Sequence, residues 1–595
     1  MTDPSSVEPG RPLKVLRRGA PVLIVMLAVA ALVSQTLAIS AKKLQPRYDE
    51  VAYIAIARSY QRLGGVVETV RCHLQGRCEE DNRSPLFEMV LQSVASDDTG
   101  FYAVSKLVTL GTTMLLGLLG ALLVRQYCGS VVAVGVIAIW SLMPSMGELS
   151  SRVLPDLLFA AIILAAVYAI AACQGAGVLS WMGTGALIGI AFLTKGNGHL
   201  LLPVLFCVGF HHYGRGFVRR LEPYASVVAF LMVTAFLIRR NMIVFHSPLH
   251  NFNERLLWLD NWEESWAFMR DPEKYTIGLG FLLKRHSIWD LLLRGIKGLG
   301  ETIGVMIYSA GLGVTSVKAP EAPMTAAIAL PRVVTGLLMI ALGTAGLRRS
   351  VGTPKGRLHG LAVSYTLAWF IAAFALGQQG AGEIGVRYVM PLVILLTPYA
   401  VEFLLVAIWP RLRTWLSERS SRLRAPAAIE TMALAVLAAL LVTKLAWFVP
   451  GAAGDPRTFV QVPAPWARTS QWLSQHLTPG ERYAFPYTSL YSTFDQPFPE
   501  PDQRWIYLYR LDSAVMRRDL DRGVRSSIDA SLIGPPGPID KVLVDMRDSL
   551  LASYQDKLSA AHDARGPLAF LDWPRCFADG EMPSRFLVYC RPPVP

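Results

Sequence analysis

The sequence predicts a polytopic α-helical membrane protein that ends in a small α/β domain outside the bilayer. Three observations carry this expectation. Only 17% of the 595 residues are charged, while 52% are hydrophobic; soluble domains carry about 25% charge. Apolar runs near twenty residues recur, the length at which a helix crosses a hydrocarbon core of roughly 30 Å. After about residue 450 the texture changes to turn signals (PGER, GPPGPID), a helical piece (PWARTSQWLSQHL) and short strand-like runs (KVLVDM, RFLVYC). Such alternation is typical of α/β domains.

In chain order, the apolar runs predict eleven spans over 20–39, 103–124, 131–147, 155–172, 181–194, 198–211, 222–238, 327–347, 360–377, 388–408 and 427–449. The third, fifth and sixth are short or interrupted by Pro and Gly. The first is longer than a signal-peptide core and is followed by a bundle, so it reads as a retained span despite the small residues of LAISA. The chain divides into a membrane domain, 1–449, and a C-terminal domain, 450–595. The tail shows no dinucleotide or P-loop glycine pattern, so no nucleotide site is expected there. No solenoid repeat is visible.

Basic residues set the orientation, because short cytoplasmic loops are enriched in Lys and Arg. Arg11, Lys14, Arg17 and Arg18 precede the first span. Arg125, then Arg215, Arg219 and Arg220, then Arg348, Arg349, Lys355 and Arg357, then Arg411, Arg413, Arg419, Arg422 and Arg424 fall in alternate loops. Eleven spans with a cytoplasmic N-terminus put all of them on one side of an inner (plasma) membrane. The net charge of +13 is then a topology signal, and nucleic acid is not an expected partner. Residues 40–102, 148–154, 239–326 and everything after about 450 lie on the other face. The first of these loops holds two amphipathic stretches, VAYIAIARSYQRL and SPLFEMVLQSVAS, suited to the membrane surface. The Trp-rich LLWLDNWEESWAFMRD should also lie close over the bilayer. Cysteines follow the same division: Cys72 and Cys78 in the first outer loop and Cys576 and Cys590 in the tail are candidate disulfides of an oxidising compartment.

Five motifs carry chemistry toward that outer face. Asp49 and Glu50 stand at the head of the first loop's helix. Local physics reads them as a cap and a favourable first-turn acid; neighbours on a helix diverge by about 100°, so at most one of them acts on a given atom. Asp156, beside Arg152 in SSRVLPDLL, sits at the mouth of the fourth span, where it is a helix start or a functional acid. Lys195, in LTKGNGHLLLP, is basic on the face that should be poor in bases; it snorkels or meets an anion. Arg239 and Arg240 emerge after the seventh span. Glu383, Arg387 and Tyr388 enter the tenth. Each base alone is an ordinary interfacial anchor. Together on one face, two acid sites and several bases suit an acid-base step beside a lipid phosphate, and Arg is shaped for bidentate phosphate recognition.

The order of these pieces resembles the GT-C glycosyltransferases, particularly the branch with lipid A aminoarabinose transferases and protein O-mannosyltransferases. The matching pieces are YDE, R-x-x-P-D, T-K-G, R-R-N-x-x-x-F-x-S-P and R-Y-x-x-P, spread over roughly residues 20–410. The resemblance implies an inverting transferase that moves a sugar from a polyprenyl-phosphate donor to an acceptor hydroxyl. It makes Asp49 the general base, with Glu50 and Asp156 orienting the acceptor or, if the enzyme uses one, holding a divalent cation. It assigns Lys195, Arg240 and Arg387 to the donor phosphate, with Arg152 and Tyr388 in support. The acceptor is an envelope lipid, polysaccharide or protein. A flippase of polyprenyl-linked glycans would show repeats and polar residues deep in its spans; no repeats are visible, and the polar groups cluster at the outer mouth. A glycan-binding scaffold is the third reading, on the aromatic segment FPYTSLYSTFDQPFPEPDQRWIYLY.

Overall fold

The computed structural model describes residues 11–42, 49–78, 83–96, 100–250, 258–259, 278–313, 326–377, 382–419 and 426–452, and of the tail 468, 472, 476, 483–486, 506–509, 541–545, 574–578 and 586–590. The helices are α1 (Arg11–Lys42), α2 (Asp49–Arg62), α3 (Val66–Leu74), α4 (Leu86–Gln92), α5 (Phe101–Cys128), α6 (Ser130–Leu142), α7 (Pro144–Ser150), α8 (Asp156–Ala172) and α9 (Val178–Thr194). They continue as α10 (Leu201–Tyr213), α11 (Glu222–Phe245), α12 (Leu279–Arg285), α13 (Ile288–Ala310), α14 (Ala326–Val351), α15 (Arg357–Gly377), α16 (Gly382–Phe403), α17 (Trp409–Arg419) and α18 (Pro426–Ala452).

The molecule is a polytopic helical membrane protein. Among the described residues, six helical segments are long and apolar enough to cross a bilayer: Pro21–Ala41, Phe101–Cys128, Glu222–Phe245, Ala329–Val351, Arg357–Gly377 and Gly385–Leu412. A helix occupies each of the other expected spans, but α8, α9 and Leu434–Val449 are shorter apolar helices. The expected span 131–147 is a bent pair: α6 and α7 meet at 71°. The sequence causes the break. Pro144 opens α7, and Met143 before it is extended at φ −71°, ψ 123°, the conformation that a following proline imposes.

α8 is apolar all round and buried along nearly its whole length, as a central helix must be. α9 lies so close to α11 that a Cβ on Gly185 would stand 2.0 Å from the Ser226 carbonyl oxygen. α2 and α4 pack together through an edge-to-face pair, Tyr53 and Phe87, with ring centroids 5.5 Å apart. α13, within the long 239–326 loop, opens on a capping box between Ser287 and Asp290. It exposes Ile288, Trp289, Leu292, Leu293, Ile296 and Leu299, an apolar stripe at helical spacing. The Trp-rich stretch before it lies almost wholly outside the described residues.

In the tail, five strands form one sheet of order β2-β1-β3-β5-β4: β1 (Tyr483–Pro486), β2 (Ile506–Tyr509), β3 (Lys541–Asp545), β4 (Arg575–Ala578) and β5 (Phe586–Cys590). β1 runs parallel to β2 and β3, while β5 is antiparallel to β3 and β4. KVLVDM and RFLVYC supply β3 and β5. Most of the expected helical piece falls outside the described residues. Cys576 joins Cys590 and Cys72 joins Cys78, with Cα atoms 5.9 and 5.5 Å apart.

Candidate active site

Asp49 and Glu50 open α2, and their side chains part as helical geometry requires. Asp49 Oδ1 accepts from Arg83 Nη2 at 3.1 Å, and Oδ2 from Arg387 Nη1 at 2.5 Å. Arg387, in the first turns of α16, also donates from Nε to Asp156 Oδ2 at 3.1 Å. Asp156, the first residue of α8, completes the set by accepting from Lys195 Nζ at 2.6 Å through Oδ1. The result is an unbroken ion chain, Arg83–Asp49–Arg387–Asp156–Lys195, assembled from the head of α2, the loop before α4, the start of α8, the end of α9 and α16. Three cations face two carboxylates, so the chain carries a net charge of +1.

Local folding explains each placement. Pro155 starts α8 and leaves Asp156 in its first turn, where an acid is favoured by the helix dipole. Lys195 is the extended residue that ends α9, at φ −156° and ψ 129°. The chain then folds back so tightly that a Cβ on Gly198 would lie 2.3 Å from the Ala191 carbonyl carbon; only glycine fits this return. The Lys195 ammonium also sits 4.2 Å from the Tyr388 ring centroid, a cation–π distance.

Exposure grades along the chain. The Asp156 side chain is 1% exposed and Arg387 10%, whereas Asp49 keeps 35%. Asp49 is therefore the member that faces an incoming molecule. Burial raises its carboxyl, but the Arg387 and Arg83 guanidiniums overcome that and hold it well below the usual carboxylate range.

Glu50 takes another direction. Its Oε1 accepts from the Val153 backbone N–H at 2.8 Å and from the Tyr102 hydroxyl at 3.4 Å. Its residue exposure is 4%. These bonds to Oε1 brace α2 against the loop that delivers Asp156. The three acids also do not form a cation cage in this arrangement. Each oxygen of Asp49 and Asp156 already faces a guanidinium or ammonium, and no group of three or more His, Cys, Asp or Glu suited to a metal occurs among the described residues.

Arg240 bonds elsewhere: its Nη1 donates to the Cys78 carbonyl at 3.4 Å, and Arg239 Nε donates to the Leu74 carbonyl at 2.8 Å. The pair clips the Cys72–Cys78 loop onto α11. His73 lies in the same clasp, its imidazole lowered to about 3 by burial and by Arg240, with the Tyr60 hydroxyl 3.1 Å from Nε2. The rest of R-R-N-x-x-x-F-x-S-P builds the exit of α11: His246 adopts the left-handed conformation at φ 55°, and Asn241 Nδ2 donates to the Pro248 and His250 carbonyls, each at 3.2 Å. Arg152 lies in the turn leading to Asp156, where its carbonyl accepts from Leu154 N–H at 3.0 Å. The side chain of Glu383 lies outside the described residues. Arg83 is the member that sequence reasoning missed. It precedes SPLFEMV in a polar loop, with no periodicity to mark it.

The arrangement can hold a singly charged anion without a counter-ion, present it beside a carboxylate, and stabilise charge that grows on it. Comparisons with known proteins bear on the fold. Residues 94–238 match the model of the dolichyl-phosphate-mannose-protein mannosyltransferase family, a segment that includes Asp156 and Lys195 but neither Asp49 nor Arg387. No curated protein sequence matches the chain. Among solved structures, ArnT from Cupriavidus metallidurans bound to undecaprenyl phosphate is similar at TM-score 0.50 and 14% identity, over 95% of this chain and 97% of that one. The same protein in the apo state gives 0.49, also at 14% identity and with the same coverage. An oligosaccharyltransferase from Archaeoglobus fulgidus tethered to an acceptor peptide gives 0.47 at 13% identity, over 90% of this chain and 70% of that one. The chain has the fold of that ArnT structure, a GT-C fold.

Proposed function

We propose that this protein is an inverting glycosyltransferase that moves a sugar from a polyprenyl-phosphate donor to an acceptor hydroxyl of the cell envelope. The observation that carries the reading is the ion chain, with its surplus positive charge and its half-exposed Asp49. A donor phosphodiester carries one negative charge, which matches the surplus. In the resting protein Asp49 occupies Arg387 and Arg83 and is a poor base. A donor phosphate on Arg387 and Lys195, with Tyr388 beside them, competes with Asp49 for its guanidinium. The displaced carboxylate regains basicity and turns to the acceptor.

The step then balances. Asp49 takes the acceptor hydroxyl proton while the acceptor oxygen forms a bond to the anomeric carbon from the face opposite the phosphate. The carbon–oxygen bond to the phosphate breaks, its electron pair leaves on polyprenyl phosphate, and the anomeric configuration inverts. The phosphate gains a second negative charge, which Arg387 and Lys195 stabilise in a largely buried setting. Fixed charges of this kind contribute about 10²–10³ in rate per group, and the base a further ~10²–10⁴. Asp156 holds Arg387 and Lys195 in register. Sugar and acceptor class follow from groups outside this ion chain. The reading places eleven spans in the inner membrane, with the N-terminus cytoplasmic and the ion chain and tail on the outer side.

The test is genetic and chemical together. Deletion should remove one sugar from an envelope molecule, seen by mass spectrometry of glycans and lipids, and Asp49→Asn expressed at the normal level should not restore it. Full restoration by Asp49→Asn would overturn the base assignment. Accumulation of lipid-linked sugar on the cytoplasmic leaflet would instead identify a flippase.

A further inference from the structure

A second charged cluster lies at the α6–α7 bend and shares no residue with the ion chain. Arg332 of α14 and Lys444 of α18 are each only 3% exposed. Arg332 Nε and Nη1 donate to the Tyr308 carbonyl and hydroxyl at 3.0 and 2.9 Å, and Nη2 donates to Ser145 Oγ at 2.8 Å. Its one carboxylate neighbour, Glu148 Oε1, stands off at 3.7 Å. Lys444 donates to the Ser141 carbonyl and reaches no carboxylate within ion-pair distance among the described residues. Among the described residues the cluster therefore holds two buried cations against one acid, and the Glu148 side chain is 35% exposed.

An ammonium buried with a lone neutral acceptor is unfavourable unless an anion completes it. Structural bracing of the α6–α7 bend accounts for the Arg332 bond to Ser145, and a neutral donor would serve Ser141 as well as Lys444 does. The uncompensated charge is what bracing leaves unexplained. We propose that Lys444 and Arg332 form a second anion site, which takes a phosphate group beside Glu148 at the α6–α7 bend, where Arg332 reaches Ser145 and Lys444 reaches Ser141. The half-buried Glu148 is the doorway: its carboxylate turns outward when a phosphate arrives. Ser141 and Ser145 bracket the site along α6 and α7. None of its members belongs to the Arg83–Lys195 chain.

The experiment uses the full chain in nanodiscs of phosphatidylcholine doped with phosphatidylglycerol, with retained lipids counted by native mass spectrometry. Wild type should keep one phosphatidylglycerol in preference to phosphatidylcholine. Lys444→Met and Arg332→Gln should each weaken that retention by about tenfold, the size of one lost charge-assisted contact, and Lys444→Arg should preserve it. Glu148→Gln, which removes the competing acid, should tighten it and serves as the readout where Lys444→Met does not fold. A parallel thermal titration with inorganic phosphate separates the sources: stabilisation that depends on Lys444 means the phosphate alone suffices, and lipid retention without it means the lipid headgroup is required. No lipid preference and no phosphate stabilisation in wild type, or equal retention by Lys444→Met or Glu148→Gln, would overturn the proposal.

Discussion

Arg387 is the hinge of the ion chain, and its removal is the sharpest structural perturbation. Arg387→Met leaves Asp156, 1% exposed, with Lys195 alone, and leaves Asp49 with Arg83 alone. Removing one partner of a buried ion pair costs about 3–5 kcal/mol, because an uncompensated charge stays behind. The Asp49 end is 35% exposed, so solvent screening confines its share to about 0–1 kcal/mol. The loss therefore sits in the Arg387–Asp156 contact, and the Lys195 bond at 2.6 Å trims it toward about 3 kcal/mol. Asp156→Asn in the same background removes the stranded carboxylate and should recover roughly half of it. The assay is a double-mutant cycle by equilibrium unfolding of the purified protein in mixed micelles. A coupling near 2 kcal/mol lies within the range for residues in contact. Additivity within about 0.5 kcal/mol would refute the claim that Arg387 and Asp156 act as one unit.

Four further outcomes follow from the same geometry. Asp49 is held below its ordinary range, so its ionised form persists to unusually low pH, and its stabilising contribution, present above the unfolded value near 4, is lost only as pH falls through the lower folded value. In Arg83→Met the acid limb of donor-free unfolding should accordingly move upward toward about pH 4; an unmoved limb would contradict the pairing. Glu50→Gln should retain most transfer activity, because an amide oxygen still accepts from Val153 N–H, while Glu50→Ala should lose about tenfold or more; equal loss in both would mean that its charge acts directly. Gly198→Ala should lower polyprenyl-phosphate affinity by displacing Lys195, with little change in the acid limb; unchanged affinity would separate the turn from the site. Reduction of Cys72–Cys78 should release the loop that Arg239 and Arg240 clasp, raising hydrogen exchange in α3, and unchanged exchange would show that the clasp suffices without the bond.

Much of the bundle and four of the five ion-chain residues were legible in the sequence, for identifiable reasons. Apolar length placed the spans, and loop charge put Asp49, Asp156, Lys195 and Arg387 on a common face although they are far apart in the chain. What sequence could not supply was direction. Asp49 and Glu50 are neighbours, yet one meets Arg387 and the other the Val153 amide, a difference set by about 100° of helix rotation. Arg240 carries the same charge as Arg387, yet its Nη1 points to the Cys78 carbonyl. Arg83 is a loop residue whose partner is tertiary. The bend at Pro144 was visible as a proline but was read through as one span. α13 has the periodicity of an amphipathic helix, while polar residues between its apolar positions kept it from reading as a span. Lys444 and Arg332 carried the plainest overlooked signal, ionisable residues within apolar spans.

The central claim is that donor phosphate and Asp49 compete for one guanidinium. Binding of undecaprenyl phosphate to the purified protein, compared between wild type and Asp49→Asn, tests it most directly. Removing the competing carboxylate while keeping its shape should tighten binding by about tenfold, or roughly 1.4 kcal/mol, in a variant that no longer transfers sugar. Weaker or unchanged binding by Asp49→Asn would contradict it.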